Sequence, residues 1–183
     1  MIVKGFEKLI ETQNGYMIEA KNASIKVIAL TDEIIRVRVS FDGKFSESSY
    51  ALVTTAWEDD LDELFAGERT RIEAVKLDCI EDDKKIVFKT KKCILTLRKD
   101  PLSFSLEDVF GNVIYRDLKE RAFDKDYLGR VSHYSLLDVE KDHFYGFGEK
   151  TGYLDKKGRR LRMNPKDAIG HNPENGEPLY KHI

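Results

Sequence analysis

The chain has few of the residues that build cross-linked or metal-stabilised folds. Its 183 residues include only two cysteines, four prolines and one tryptophan. Two cysteines, Cys79 and Cys93, cannot form the disulfide framework of a small secreted protein. They also lack the C-x-x-C spacing that is typical of zinc and redox sites. We therefore expect reduced thiols in or near the core, and neither a metal site nor a cofactor.

Long apolar runs and an excess of one charge are also missing. No run of about 18 apolar residues occurs, so we expect no membrane-spanning segment and no membrane partner. The opening residues, MIVKGFEK, lack the apolar stretch of a signal peptide, which favours a cytoplasmic location. The 31 basic and 33 acidic residues give a net charge of −2, which argues against a chain built throughout to bind nucleic acid. Hydrophobic residues make up 41%, too many for a disordered chain.

What the sequence does contain is a repeated alternation of apolar and polar residues. This period of two is typical of strands with one buried face, and residues 102–106 (LSFSL) show it most clearly. Seven further stretches are predicted as strands: 23–27, 35–39, 72–77, 86–90, 94–98, 113–115 and 134–139. Turn-forming residues such as Asn14-Gly15 separate them. Only residues 56–69 have a helical pattern, so the sequence predicts an all-β sandwich or barrel.

The composition changes from His143 onward. Residues 143–149 (HFYGFGE) are aromatic and rich in glycine, and lysines and arginines crowd residues 150–166. Three prolines lie among the last twenty residues, at 165, 173 and 178. This composition is typical of a loop, and a loop this long usually has a function. The basic run has a single interleaved aromatic residue, so a solvated hairpin is favoured over a nucleic-acid site.

Residues 144–150 (FYGFGEK) resemble the aromatic-Tyr-Gly-aromatic-Gly-Glu segment of glycoside hydrolase family 31, the α-glucosidases and α-xylosidases. The similarity continues at 154–163 (LDKKGRRLRM), 166–168 (KDA) and 178–183 (PLYKHI). Weaker similarity to the N-terminal domain of that family lies upstream, at 34–38, 49–51, 100–104 and 108–112. The resemblance therefore covers nearly the whole chain.

The resemblance implies an antiparallel β-sandwich of the galactose-mutarotase-like supersandwich type, forming a single N-terminal domain over residues 1–183. Residues 143–183 are then the loop-rich segment that forms a wall of the active site and leads into a catalytic (β/α)8 barrel. A barrel needs about 250 residues of its own. The family's two catalytic aspartates lie on that barrel, so we expect no catalytic residue in this chain and no activity from it alone.

The implied reaction is the hydrolysis of terminal α-linked sugars with retention of configuration. The implied partners are an α-linked oligosaccharide or glycoside substrate and the catalytic barrel of the same polypeptide. If a barrel normally covers this domain, its absence would expose apolar surface and favour a homodimer of the isolated domain.

One residue carries a role over from the family. Asp167 matches the aspartate of a Met-Trp-Asn-x-Asp-Ala segment that reaches into the sugar pocket, where a carboxylate accepts hydrogen bonds from sugar hydroxyls. Asn164 stands where the family has Trp, and Pro165 stands where it has Asn, so an aromatic platform and an amide are lost. Without the resemblance, Asp167 would be interpreted as a turn or helix-cap residue.

Two alternatives remain open at this stage. Glu149 with one of the four histidines (His133, His143, His171 and His182) has the residue types of a general base and acid, although a structural carboxylate is the commoner case. The chain as a whole also fits a free-standing carbohydrate-binding or mutarotase-like protein.

Overall fold

The computed structural model of the chain describes residues 1–45, 54–55, 70–71, 73–148 and 152–161. Regular structure in these ranges consists of thirteen strands and one 3₁₀ turn, Lys119–Arg121. The predicted all-β class is thereby confirmed, whereas the helix predicted at 56–69 lies outside the described residues. In the described part of the chain, no helix has both the length and the apolar character needed to cross a membrane.

Four consecutive strands form the first sheet, in the spatial order β1-β2-β3-β4. They are β1 (Phe6–Thr12), β2 (Gly15–Ala20), β3 (Ala23–Ala29) and β4 (Ile35–Ser40). Each pairs with the next in antiparallel register. The connection between β1 and β2 requires glycine, because a Cβ on Gly15, with φ at +150°, would lie 2.2 Å from the carbonyl oxygen of Val27.

Five later strands form a second antiparallel sheet, in the order β11-β10-β9-β8-β7. They are β7 (Asp78–Glu81), β8 (Lys85–Lys89), β9 (Cys93–Lys99), β10 (Leu102–Asp108) and β11 (Val113–Arg116). Aspartates close the turns between them. Asp82 Oδ1 accepts hydrogen bonds of 2.8 Å from the amides of Lys84 and Lys85, and Asp108 Oδ1 accepts one of 2.8 Å from Asn112. Short turn aspartates bond their own backbone in this way.

The core lies between the two sheets. Ile25 and Val27 of β3 are fully buried, and so are Ile86 and Phe88 of β8, while their neighbours along each strand face outward. The ring of Tyr16 in the first sheet lies 5.2 Å from the ring of Phe88 in the second. Burying a large apolar side chain completely stabilises the fold by about 1.5–3 kcal/mol relative to leaving it exposed. Apolar burial therefore holds the two sheets face to face, which confirms the predicted antiparallel sandwich.

The remaining described strands are short. They are β5 (Thr54–Thr55), β6 (Thr70–Arg71), β12 (Phe123–Lys125) and β13 (Val131–His133). β5 and β6 pair in parallel, whereas β12 and β13 form an antiparallel hairpin. The chain divides into two compact units, Met1–Leu136 and Leu137–Ile183, and the sandwich belongs to the first. The predicted single domain 1–183 stays a prediction.

Two of the predicted strands are wrong, because the described residues of these stretches form no strand. The stretch at 72–77 forms only one bridge among its described residues, between Val75 and Ala29, and the stretch at 134–139 forms only one, between Ser135 and Asp117. Leu77 is nevertheless buried. Val75 and Leu77 thus pack in or against the core from irregular backbone. Alternation of apolar residues alone cannot distinguish such a segment from a strand.

Candidate functional site

The aromatic and glycine-rich segment at 143–148 has an unusual backbone. Gly146, Phe147 and Gly148 follow one another with φ at 86°, 69° and 73°. Glycine adopts this left-handed region freely, whereas a bulky residue such as Phe147 does so at a cost of about 1–3 kcal/mol. The segment therefore needs neighbouring contacts to hold its shape, and it presents the half-exposed rings of Phe144 and Tyr145.

Asp155 supplies those contacts. Its Oδ2 accepts a 2.7 Å hydrogen bond from Nδ1 of His143, and its Oδ1 accepts bonds of 3.1 Å and 3.0 Å from the amides of Phe144 and Lys157. These bonds, above all the one from His143, lower the pKa of Asp155 from 3.8 to about 2. Because Oδ2 is an acceptor, Nδ1 of His143 carries the proton. One carboxylate thus ties residues 143–144 to residues 155–157.

Two lysines of the basic run turn toward this loop. The Lys156 amide donates a 2.7 Å bond to the Phe144 carbonyl oxygen, and its Nζ donates to the Tyr153 carbonyl. Lys156 is buried, which is rare for lysine. Lys157 Nζ donates to the Val139 carbonyl. The prediction of a solvated hairpin is therefore wrong for these two residues, since both ammonium groups bind loop carbonyls.

Asp167, the predicted sugar contact, lies outside the described residues. Glu149, His171 and His182 do so as well. The role assigned to Asp167 and the alternative assigned to Glu149 both stay predictions. The two described histidines, His133 and His143, each bind an aspartate.

The pair formed by His133 and Asp117 lies in the sandwich. Nε2 of His133 is 2.8 Å from Oδ1 of Asp117, whose side chain is completely buried, and the Tyr115 hydroxyl donates to the same oxygen. The Phe104 amide donates a 2.6 Å bond to Oδ2. The His133 ring stacks on Phe123 at 4.5 Å. Burial, followed by the bond to Asp117, raises the pKa of Tyr115.

The sequence interpretation assigned no role to Asp155, Asp117 or Tyr115. Asp155 falls inside the matching stretch 154–163, so the resemblance pointed to the segment but not to the residue. Tyr115 and Asp117 are two positions apart along β11 and its extension, the spacing that places two side chains on one face of a strand. Their histidine partner comes from another strand, which no local pattern indicates.

Among the residues that the structure describes, no three His, Cys, Asp or Glu side chains are close enough to hold a metal ion. Hydrogen bonds hold the two aspartate–histidine clusters together. The cluster in the loop shapes a backbone with exposed aromatic rings, and the cluster in the sandwich joins β13 to β11.

Comparison with known proteins gives a consistent result. Residues 24–183 match the family described as the glycosyl hydrolase 31 N-terminal galactose mutarotase-like domain. Alpha-glucosidase 2 of Bacillus thermoamyloliquefaciens is 28% identical over 172 residues, which is 93% of this chain and 19% of that protein.

Solved structures share the fold. A glycoside hydrolase family 31 dextranase of Flavobacterium johnsoniae, complexed with isomaltotriose, superposes with a TM-score of 0.78 at 21% identity, covering 98% of this chain and 20% of its own. The cycloalternan-forming enzyme of Listeria monocytogenes, in complex with a pentasaccharide substrate, superposes with a TM-score of 0.71 at 12% identity. The superposition covers 96% of this chain and 16% of the enzyme's chain. The chain spans between 16% and 20% of the length of these relatives.

The family match begins in β3 and runs through the rest of the sandwich and the loop that follows it. The chain belongs to the glycosyl hydrolase 31 N-terminal galactose mutarotase-like domain family.

Proposed function

We propose that this chain is the N-terminal domain of a retaining α-glycosidase of the α-glucosidase type, which hydrolyses terminal α-linked sugars. The observation that carries the proposal is the family match over residues 24–183. The names of the relatives support it, since one is an α-glucosidase and another is a dextranase with isomaltotriose bound. Both names point to α-linked glucose.

In this proposal the sandwich supports a catalytic barrel of the same polypeptide. Two aspartates on that barrel, with carboxyl groups about 5–5.5 Å apart, act as nucleophile and acid/base, as retention of configuration requires. Residues 143–183 form one wall of the sugar pocket.

The substrate contact within this wall is Asp167. An ionised carboxylate accepts hydrogen bonds from adjacent sugar hydroxyls, and such charge-assisted bonds are stronger than neutral ones. The Asp155 cluster supports this role, because it fixes the backbone of a segment that ends ten positions before Asp167. Asp155 is then a positioning residue.

The test is the variant Asp167→Ala in the full-length protein. We expect kcat/KM for p-nitrophenyl α-glucoside to fall by about tenfold or more, because a lost hydrogen bond to a charged partner costs about 1.5–3 kcal/mol. Glu140→Ala, which removes an exposed carboxylate from the same unit, is the control. A value of kcat/KM unchanged by Asp167→Ala would refute the assigned contact.

The chain alone should not hydrolyse p-nitrophenyl α-glucoside, since both catalytic aspartates belong to the barrel in this proposal. Turnover that survives purification and is lost on substitution of residues in this chain would contradict that division of labour and favour an independent activity.

Two smaller assignments accompany the proposal. A cytoplasmic location is supported by the free thiols of Cys79 and Cys93, whose pKa values burial raises, so both stay protonated and unreactive. A homodimer of the isolated domain would bury exposed apolar side chains such as Phe110 and Tyr127, which are 85% and 92% exposed. Cell fractionation and size-exclusion chromatography test these two assignments.

A further inference from the structure

The outward face of the second sheet contains a cavity of about 790 Å³. This volume lies within the range of about 300–1,000 Å³ that is usual for small-molecule sites. Three carboxylates line it, those of Asp83, Asp100 and Asp117. Six basic side chains also line it: Lys84, Lys85, Arg98, Lys99, Arg116 and Lys119. The cavity belongs entirely to the first unit of the chain.

Strand register brings like charges together at this cavity. Lys85 of β8 lies directly opposite Arg98 of β9, and both side chains are exposed on the outward face. Two cations in directly opposite positions destabilise a sheet. Neither side chain forms an ion pair with any described residue, and Arg98 Nε donates only to the Asp100 carbonyl, at 2.9 Å. An anion bound between the two cations would remove this repulsion.

The carboxylates in the lining do not neutralise these cations. Asp117 is completely buried, and its oxygens already accept bonds from Phe104, Tyr115 and His133. The carboxylates of Asp83 and Asp100 make no ion pair within the described residues. Lys99 is the exception among the lining cations, since its Nζ lies 2.7 Å from Glu81.

Two hydroxyl groups lie beside the cations of the site. Thr96 of β9 lies opposite Ser105 of β10, and Ser105 lies opposite Arg116 of β11, so two hydroxyls and a guanidinium form one row across three strands. A guanidinium binds phosphate through two parallel hydrogen bonds. Hydroxyls both donate and accept, which suits the hydroxyl groups of a sugar.

We propose that this cavity binds a phosphorylated sugar, with Arg98 and Arg116 on the phosphate and Thr96 and Ser105 on the sugar hydroxyls. The cavity is larger than a lone phosphate requires, which favours a ligand with a polar body. The aromatic residue among its described lining residues is Phe104, whose ring is buried in the core, whereas single-stranded nucleic acid is bound largely by stacking on accessible aromatic rings. The choice of a sugar rests on the proposed function; the choice of a phosphate does not.

The test is calorimetric titration of the chain with glucose 6-phosphate, inorganic phosphate, glucose and a short single-stranded DNA. We expect glucose 6-phosphate to bind at least tenfold more tightly than inorganic phosphate and than glucose. Arg116→Gln and, independently, Arg98→Gln should each weaken its binding about tenfold or more, since each removes bonds to a charged group. Circular dichroism confirms that each variant is folded.

Two lysines at opposite ends of β8 provide a matched pair. Lys84→Gln removes a cation from the cavity, whereas Lys91→Gln removes an exposed cation from the turn at the other end of the same strand. We expect several-fold weaker binding for Lys84→Gln and a change of less than twofold for Lys91→Gln. Equal losses would mean diffuse attraction and would overturn the proposal.

Other results would overturn it as well. One is that glucose 6-phosphate does not bind at millimolar concentration, and another is that inorganic phosphate binds equally well. Tighter binding of DNA than of glucose 6-phosphate would also overturn it, as would unchanged binding in both arginine variants. Because the titration measures binding and not turnover, any of these results would leave the proposed glycosidase role unaffected.

Discussion

The sandwich and the loop that follows it each contain an aspartate–histidine pair of nearly equal length. Asp117 and His133 are 2.8 Å apart, and Asp155 and His143 are 2.7 Å apart. The Asp117 side chain is completely buried, whereas the Asp155 side chain is 33% exposed. The cost of breaking such a pair rises steeply with burial. The same pair therefore contributes to the stability of the sandwich in one region and to local backbone shape in the other.

The largest expected loss of stability comes from a substitution in the apolar core, where Phe88 is fully buried between the sheets. Phe88→Ala should lower the free energy of unfolding by about 3–5 kcal/mol, because it removes buried surface and leaves a cavity. Urea denaturation measures this loss. Phe110→Ala, at a position that is 85% exposed, should change the value by less than about 0.5 kcal/mol. Similar losses in the two variants would contradict the assigned core.

Asp117→Asn should have the next largest effect. The neutral amide cannot accept all the bonds that Phe104, Tyr115 and His133 now donate or share, and a hydrogen bond to a charged group is worth about 1.5–3 kcal/mol. We expect a loss of about 2–3 kcal/mol in urea denaturation. Asp155→Asn is the matched control, and its denaturation midpoint should stay closer to that of the wild type. A larger loss for Asp155→Asn would reverse the comparison.

The smallest effect is the acid response of the loop. The folded-state pKa of Asp155, about 2, lies below its ordinary value of 3.8, so the bonds to its carboxylate are fully formed above about pH 4. They are lost as the pH falls toward 2. The amide NMR signals of Phe144 and Lys157, which donate to Asp155, should titrate with a midpoint near 2. The same signals should not titrate in Asp155→Asn, and a wild-type midpoint near 3.8 would show that the bonds do not form in solution.

Much of the sandwich could be predicted from sequence because one buried face imposes strict alternation. β3 and β9 are examples, and both are strands within one or two residues of the predicted limits. β1 was not predicted, since its burial does not alternate. The stretch at 134–139 was predicted wrongly, because its apolar residues lie on irregular backbone.

The candidate site was less predictable for a different reason. His143 and Asp155 are 12 positions apart, and His133 and Asp117 are 16 positions apart. Such pairs depend on where the chain turns, and no residue pattern over a few positions encodes that. The resemblance to a known family identified the segments around Asp155 and Asp167, but only coordinates identify a hydrogen-bond partner.

The measurement that tests the account most directly combines stability and catalysis in the full-length protein. Asp117→Asn and Asp155→Asn are compared by Tm and by kcat/KM for p-nitrophenyl α-glucoside at a temperature where both are folded. We predict that Asp117→Asn lowers Tm and leaves kcat/KM within twofold, while Asp155→Asn leaves Tm nearly unchanged and lowers kcat/KM by about tenfold, because displaced substrate contacts weaken catalysis. A loss of kcat/KM in Asp117→Asn, or full activity in Asp155→Asn, would contradict a supporting sandwich with a functional loop.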